Sequence, residues 1–169
     1  MIDVPCQSSY HIFLKQYFKS DYIHAKSPYK IFDFLSARII LRIMISTGLY
    51  IHVPFCSGKC WYCDFYSICG SAYEMDTFLR AIKEEIQLIR RQVLNHEEIC
   101  LETIFIGGGT PTSLEPDQIR RLGEIIDENF QKTPDCEFSI EANPESLSPV
   151  KMSTIREIGV NRLSIGTQT

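Results

Sequence analysis

Long apolar runs are missing from this chain. No uninterrupted stretch approaches the roughly 20 residues that a membrane-spanning helix needs, so the sequence offers no such span. A basic excess is missing too: the net charge over 169 residues is −4, without the positive footprint typical of nucleic-acid binders. Low-complexity tracts are absent, and with 44% apolar and 22% charged residues the chain can bury a core, which argues against disorder. Seven cysteines fall short of the density of a small disulfide-stapled secreted domain. Three of them lie within eight residues, a clustering that points to metal.

Glycine is absent from the first 47 residues; all nine glycines lie at or after Gly48. Residues 1–47 also hold eight of the 19 aromatic residues and carry a net charge of +3, leaving −7 for residues 48–169. This difference places a boundary between an atypical, poorly packed N-terminal leader (1–47) and a domain core (48–169). The leader has neither the cleavage-site pattern of a secretory signal nor the Arg/Ser richness of a transit peptide. Met44 is an alternative start.

From Gly48 onward the pattern is regular. Leu49–Val53 is a short β-rich run ended by Pro54. Phe78, Ile82, Ile86, Ile89 and Val93 recur at helical spacing. Thr103–Ile106 reads as a second strand, stopped by three glycines, and Cys136–Glu141 as a third. Pro116 suits the first turn of a helix, Ser148 an N-cap and Gly159 a helix stop. Arg162–Gly166 is a fourth strand. The order β-α-β-α-β-α-β, with crossovers long enough for parallel pairing, predicts an α/β fold.

The chemistry-bearing motifs fall after successive strands. Cys56-Ser-Gly-Lys-Cys60-Trp-Tyr-Cys63 follows the first. Three thiolates on one loop can converge on a soft metal centre. One reading is an iron–sulfur cluster with an iron left open; the other is zinc completed by Cys69 or His52. Gly107-Gly108-Gly109-Thr110-Pro111-Thr112 follows the second strand. It lets a ligand approach bare backbone, but it is neither a Walker A loop nor a dinucleotide fingerprint. Glu141 ends the third strand and Gln168 follows the fourth, so all four features lie at the strand ends where barrel enzymes build their sites.

Leu49-Tyr50-Ile51-His52-Val53-Pro54-Phe55-Cys56, the three-cysteine loop, Gly-Gly-Gly-Thr-Pro-Thr, Glu141-Ala-Asn-Pro-Glu and Gly159-Val-Asn-Arg-Leu-Ser-Ile-Gly-Thr-Gln168 together resemble the radical S-adenosylmethionine family over about residues 49–169. The resemblance implies a partial (β/α) barrel, cut here after its fourth parallel strand. It further implies that Cys56, Cys60 and Cys63 bind a [4Fe–4S] cluster, which displaces the zinc reading. By the same resemblance Tyr50, Tyr62, Gly108, Gly109, Thr110, Glu141 and Gln168 contact S-adenosylmethionine, while Phe55 and Trp61 shield the cluster. His52 reads as a hydrogen-bonded neighbour of the cluster, and Cys69, Cys100 and Cys136 as small apolar residues. His96 shows no sign of a role.

Within the family, the sequence is most similar to the branch of oxygen-independent coproporphyrinogen-III oxidase and a related haem chaperone. The oxidase pattern has a further cysteine two residues after the third; here Phe65 stands at that position, which favours the chaperone. The implied ligands are S-adenosylmethionine and haem or a porphyrinogen, and the implied partners an electron donor and a haem-acceptor protein, in the cytoplasm. The family's barrel has six strands and a C-terminal domain with a His-Asn-x-x-Tyr-Trp motif. Their absence before Thr169 gives the expectation of an N-terminal fragment, with an inactive cluster-binding remnant as the alternative to an active protein.

Overall fold

The computed structural model describes residues 12–16, 45–92 and 99–167. Most of the leader, Met44, Val93, His96 and Gln168 lie outside the described residues. In chain order the elements are β1 (Ile12–Gln16), β2 (Ile45–Val53), α1 (Ala72–Gln92), β3 (Ile99–Gly108), α2 (Pro116–Asn129), β4 (Gln131–Ala142), α3 (Pro149–Glu157) and β5 (Arg162–Ile165). The strands form one sheet in the order β1-β2-β3-β4-β5. β2 to β5 pair in parallel, while β1 runs antiparallel to β2. This is the α/β partial barrel expected, with one strand added at its edge.

Alternation explains which face of the sheet is covered. Leu49, Ile51 and Val53 of β2, Ile104 and Ile106 of β3, and Phe138 and Ile140 of β4 are buried in one cluster with helix residues. From α1 come Phe78, Leu79, Ile82 and Ile86, and from α2 Ile119, Leu122, Ile125 and Ile126. These recur at helical spacing, so each helix turns one apolar stripe to the sheet. Gly123 permits close packing of α2 on the end of α3, because a Cβ there would lie 2.6 Å from Ile158 Cγ2. The alternate strand positions Tyr50, His52, Phe105, Glu141 and Ser164 occupy the other face, where the rings of Tyr50 and Phe105 stack at 6.0 Å.

The helix signals act as the sequence predicts. Pro116 opens α2, and Ser148 caps α3 by accepting from the Lys151 amide at 3.2 Å. Gly159 follows α3 with φ +93°. The strands are longer than their apolar runs. In β4 the pairing extends back to Gln131, with a register shift that leaves Thr133–Cys136 opposite Glu102. Pro134 is tolerated there because an irregular stretch asks for no regular ladder donor. β1, Ile-Phe-Leu-Lys-Gln, has no alternation to announce it, and the compositional boundary between residues 47 and 48 falls inside β2. At the start of β5, Asn161 splices into β4: its side chain accepts from the Phe138 amide at 2.9 Å and donates to the Cys136 carbonyl at 2.8 Å.

Candidate metal centre and ligand cleft

The cysteine loop leaves β2 at Val53 and is closed at its base by backbone. Phe55 bridges Ile68; the Cys56 amide donates to the Ile68 carbonyl at 2.9 Å and the Ile68 amide to the Pro54 carbonyl at 2.8 Å. Phe55 is fully buried and meets Phe78 edge-on at 5.5 Å. Phe55 therefore anchors the loop in the core immediately before its first cysteine. Above this base the loop is open: Cys60 is exposed and Cys56 and Cys63 are half-buried. Within it, the Cys63 amide donates to the Cys60 carbonyl and the Lys59 ammonium to the Phe65 carbonyl.

His52 ties the loop's far side to β2. Its Nε2 lies 3.3 Å from the Tyr66 carbonyl, which can only accept, so Nε2 carries the proton. In the neutral ring Nδ1 then accepts from the Tyr50 hydroxyl at 3.1 Å. Burial, followed by the nearby Glu141 carboxylate, holds the Tyr50 phenol above its ordinary range and keeps it a donor. The Tyr62 phenol is also pushed up, chiefly by a side-chain hydrogen bond with Cys60.

The glycine turn lies against the base of the cysteine loop. The Gly109 amide donates to the Val53 carbonyl at 2.8 Å and the Thr110 amide to the Phe55 carbonyl at 2.7 Å. Gly108 has φ +117°, a conformation L side chains rarely adopt. A Cβ on Gly109 would lie 2.9 Å from Cys56 Sγ. From β4, Glu141 Oε2 accepts from the Gly108 amide at 3.1 Å, which fixes the carboxylate at the mouth of the turn. The three thiols, Tyr62, Gly108, Gly109, Thr110 and Glu141 all line one cleft of about 920 Å³.

The cleft's donor set fits a thiolate-held cluster: three soft ligands on one loop, with bare glycine backbone beside Cys56. Among the described residues no three His, Cys, Asp or Glu side chains are gathered around one point; the three thiols share the cleft without converging on a single centre. Tyr50 is not among the residues lining the cleft; its hydroxyl meets His52 Nδ1 instead. Two expectations are corrected. Trp61 is 94% exposed and edge-on to Tyr62, rather than packed over the thiols. Cys69 is exposed too, its thiol directed at the Ser57 carbonyl, unlike the buried Cys100 and Cys136. The sequence reading missed Asn143, which lines the cleft and donates to the Thr110 hydroxyl at 3.3 Å. Its place in Glu-Ala-Asn-Pro, just past a strand end, was the available signal.

Residues 50–169 match the Radical SAM superfamily. The chain is 42% identical over 121 residues to the haem chaperone HemW of Bacillus subtilis, covering 71% of this chain and 31% of that protein. It is 36% identical over 125 residues to HemW of Mycobacterium tuberculosis (72% and 31%). It is 34% identical over 125 residues to an oxygen-independent coproporphyrinogen III oxidase of Bradyrhizobium diazoefficiens (73% and 27%). Among solved structures it is similar to coproporphyrinogen III oxidase (HemN) from Escherichia coli, a radical SAM enzyme: 32% identity and a TM-score of 0.65, over 76% of this chain and 30% of that one. The chain thus spans less than a third of the length of these relatives.

Proposed function

Since the chain belongs to the radical SAM superfamily, we propose that Cys56, Cys60 and Cys63 hold a [4Fe–4S] cluster and that S-adenosylmethionine occupies the cleft beside it. The observation that carries this reading is that one cleft collects three thiols, a bare glycine turn and a fixed carboxylate. When bound, the pair supplies one-electron reductive cleavage of a sulfonium, chemistry that belongs to the cofactors. The chain's own residues bind and orient. Gly108 and Gly109 keep side chains away from the backbone that faces the ligand. Glu141, held by the Gly108 amide, offers a carboxylate to the cationic amino acid or to ribose hydroxyls. Thr110, Tyr62 and Gln168 complete the contacts, and Tyr50 holds His52 and with it the loop at Tyr66.

The wider protein's role is read as haem chaperone, binding haem and passing it to an acceptor protein in a reducing cytoplasm, with an electron donor as second partner. Phe65 in place of a fourth loop cysteine supports that reading over porphyrinogen oxidation. Anaerobic reconstitution tests the site. About four irons per chain are expected, the content of one cubane, together with S-adenosylmethionine binding that depends on the cluster. Tight zinc uptake in place of iron overturns the assignment. For the role, haem transfer to an apo-acceptor is expected and decarboxylation of coproporphyrinogen III is not; the reverse result favours the oxidase.

A further inference from the structure

One polar contact in the cleft faces the metal centre rather than its ligand. The Thr110 hydroxyl lies 3.6 Å from Cys56 Sγ, within the longer range of a hydrogen bond to sulfur. Thr110 is only 6% exposed, so water does not compete freely for that contact. On its other side the hydroxyl oxygen receives the Asn143 amide at 3.3 Å. An amide N–H can only donate. The hydroxyl proton is not used in that bond and is free to donate to the sulfur. A cysteine bound to metal is a thiolate and can only accept.

Both ends of this relay are themselves anchored. The Thr110 amide is held by the Phe55 carbonyl at 2.7 Å, one residue before Cys56. The Asn143 carbonyl accepts from the Ser146 amide at 3.0 Å and the Ser146 hydroxyl at 2.8 Å. That hydroxyl also contacts the Thr112 hydroxyl, on the same turn as Thr110. Thr112 is fully buried, and its carbonyl accepts from the Lys151 ammonium at 2.9 Å. The contact to Cys56 is therefore held from two strand ends, β3 and β4.

We propose that Thr110 and Asn143 form a positioning relay, N–H to O–H to sulfur, that sets the reduction potential of the cluster through the Cys56 thiolate. Hydrogen bonds to cluster sulfurs are one of the determinants of that potential. A donor stabilises the reduced, more negative state, so the relay raises the potential and makes the cluster easier to reduce. The inference rests on the cluster assignment above, and it reads Thr110 as aimed at the metal side of the cleft.

The test is an anaerobic redox titration of the reconstituted 169-residue chain, read by electron paramagnetic resonance, with iron content measured in parallel. Thr110→Val keeps the shape and removes the hydroxyl. Its iron content should match the wild type, while the potential moves negative by about tenfold in the oxidised-to-reduced ratio at fixed poise, or 59 mV for a one-electron couple. Thr110→Ser should restore the wild-type potential. Asn143→Ala should shift it in the same direction by less, because the hydroxyl remains but no longer receives the Asn143 amide. An unchanged potential in Thr110→Val at full iron content overturns the relay and leaves the cluster assignment standing. If Thr110→Val fails to retain iron, Asn143→Ala and Thr110→Ser carry the decision: a wild-type potential in the first, or a negative shift of about 59 mV in the second, overturns it. Failure of the wild-type chain to take up iron overturns both readings.

Discussion

The two loops that make the cleft are built in opposite ways. The glycine turn is fastened down: Gly109 and Thr110 are bonded to the backbone of residues 53 and 55, and Thr110, Pro111, Thr112 and Leu114 are buried. The cysteine loop is held by backbone at its base and by His52 at Tyr66, and from Ser57 to Tyr66 every residue except Cys63 is exposed. The same sheet edge thus presents one preorganised surface and one that needs further contacts to settle. This division suits a site in which the turn supplies fixed backbone and the loop closes around a bulky metal group. The loop's aromatic side chains, Trp61, Tyr62, Phe65 and Tyr66, are all at least half exposed, so apolar burial contributes little to its present shape.

The largest expected effect falls on the open loop. Cys60→Ala removes one of three thiolates, and no other side chain of the loop replaces it, so iron content after reconstitution should fall from about four per chain to near zero. Cys69→Ala, whose thiol only reaches the Ser57 carbonyl at 3.7 Å, should leave iron content unchanged. Equal loss from both substitutions would mean that the loop does not hold the metal as described.

Two glycines sharpen the contrast next. Gly109→Ala places a methyl 2.7 Å from the Phe55 carbonyl oxygen and 2.9 Å from Cys56 Sγ. Either the turn must leave β2 or Cys56 must rotate away. We expect S-adenosylmethionine affinity to drop about tenfold, equivalent to ~1.4 kcal/mol. Gly58→Ala, on the open loop, meets nothing within 4 Å and should bind normally. Calorimetry on both reconstituted variants decides; equal affinities would erase the distinction between a fastened and an unfastened loop.

A smaller effect concerns what joins the two loops downstream. Gln118 of α2, 6% exposed, accepts from the Glu115 amide at 3.0 Å and donates to the Ala72 carbonyl and to Asp76, both on α1. α1 begins where the cysteine loop ends, so Gln118 couples the helices that follow each loop. Gln118→Ala should destabilise the fold by about 1 kcal/mol, the cost of leaving part-buried groups unpaired, visible as a lower midpoint in urea. A midpoint equal to wild type would show that water satisfies these groups.

Legibility in the sequence follows the same division. Strands whose residues alternate against the helices, such as Leu49–Val53, and helices opened by Pro116 or Ser148, are read from local pattern alone. So is the gathering of Cys56, Gly108 and Glu141, because successive parallel strands deliver their ends to one edge. β1 is not legible, since its pairing with β2 depends on contacts across more than 30 residues and its own run lacks a period. The exposure of Trp61 and Cys69 is a property of how the loop projects, which spacing does not encode. Asn143's bond to Thr110 joins residues 33 apart in sequence and becomes visible only when the strand ends meet.

The smallest effect is a pH dependence at the junction of the open loop with α1. Ser71 and Glu74 cap this helix reciprocally: Glu74 Oε2 accepts from the Ser71 amide at 2.7 Å and from its hydroxyl at 2.8 Å, and the Ser71 hydroxyl accepts from the Glu74 amide at 3.4 Å. The hydrogen bonds from the Ser71 amide and then its hydroxyl hold the Glu74 carboxyl below its ordinary range. A depressed carboxylate contributes stability that is fully present above its unfolded-state pKa, about 4.3, and that is lost as pH falls through the lower folded-state value. Wild type and Glu74→Gln should therefore differ slightly in melting temperature at pH 7 and converge as the solution is acidified below pH 4. The amide of the variant can still accept at the cap, so the difference at neutral pH isolates the charge. A melting-temperature gap that stays constant from pH 7 to pH 3 would show that the carboxylate charge has no part in holding the end of the cysteine loop to α1.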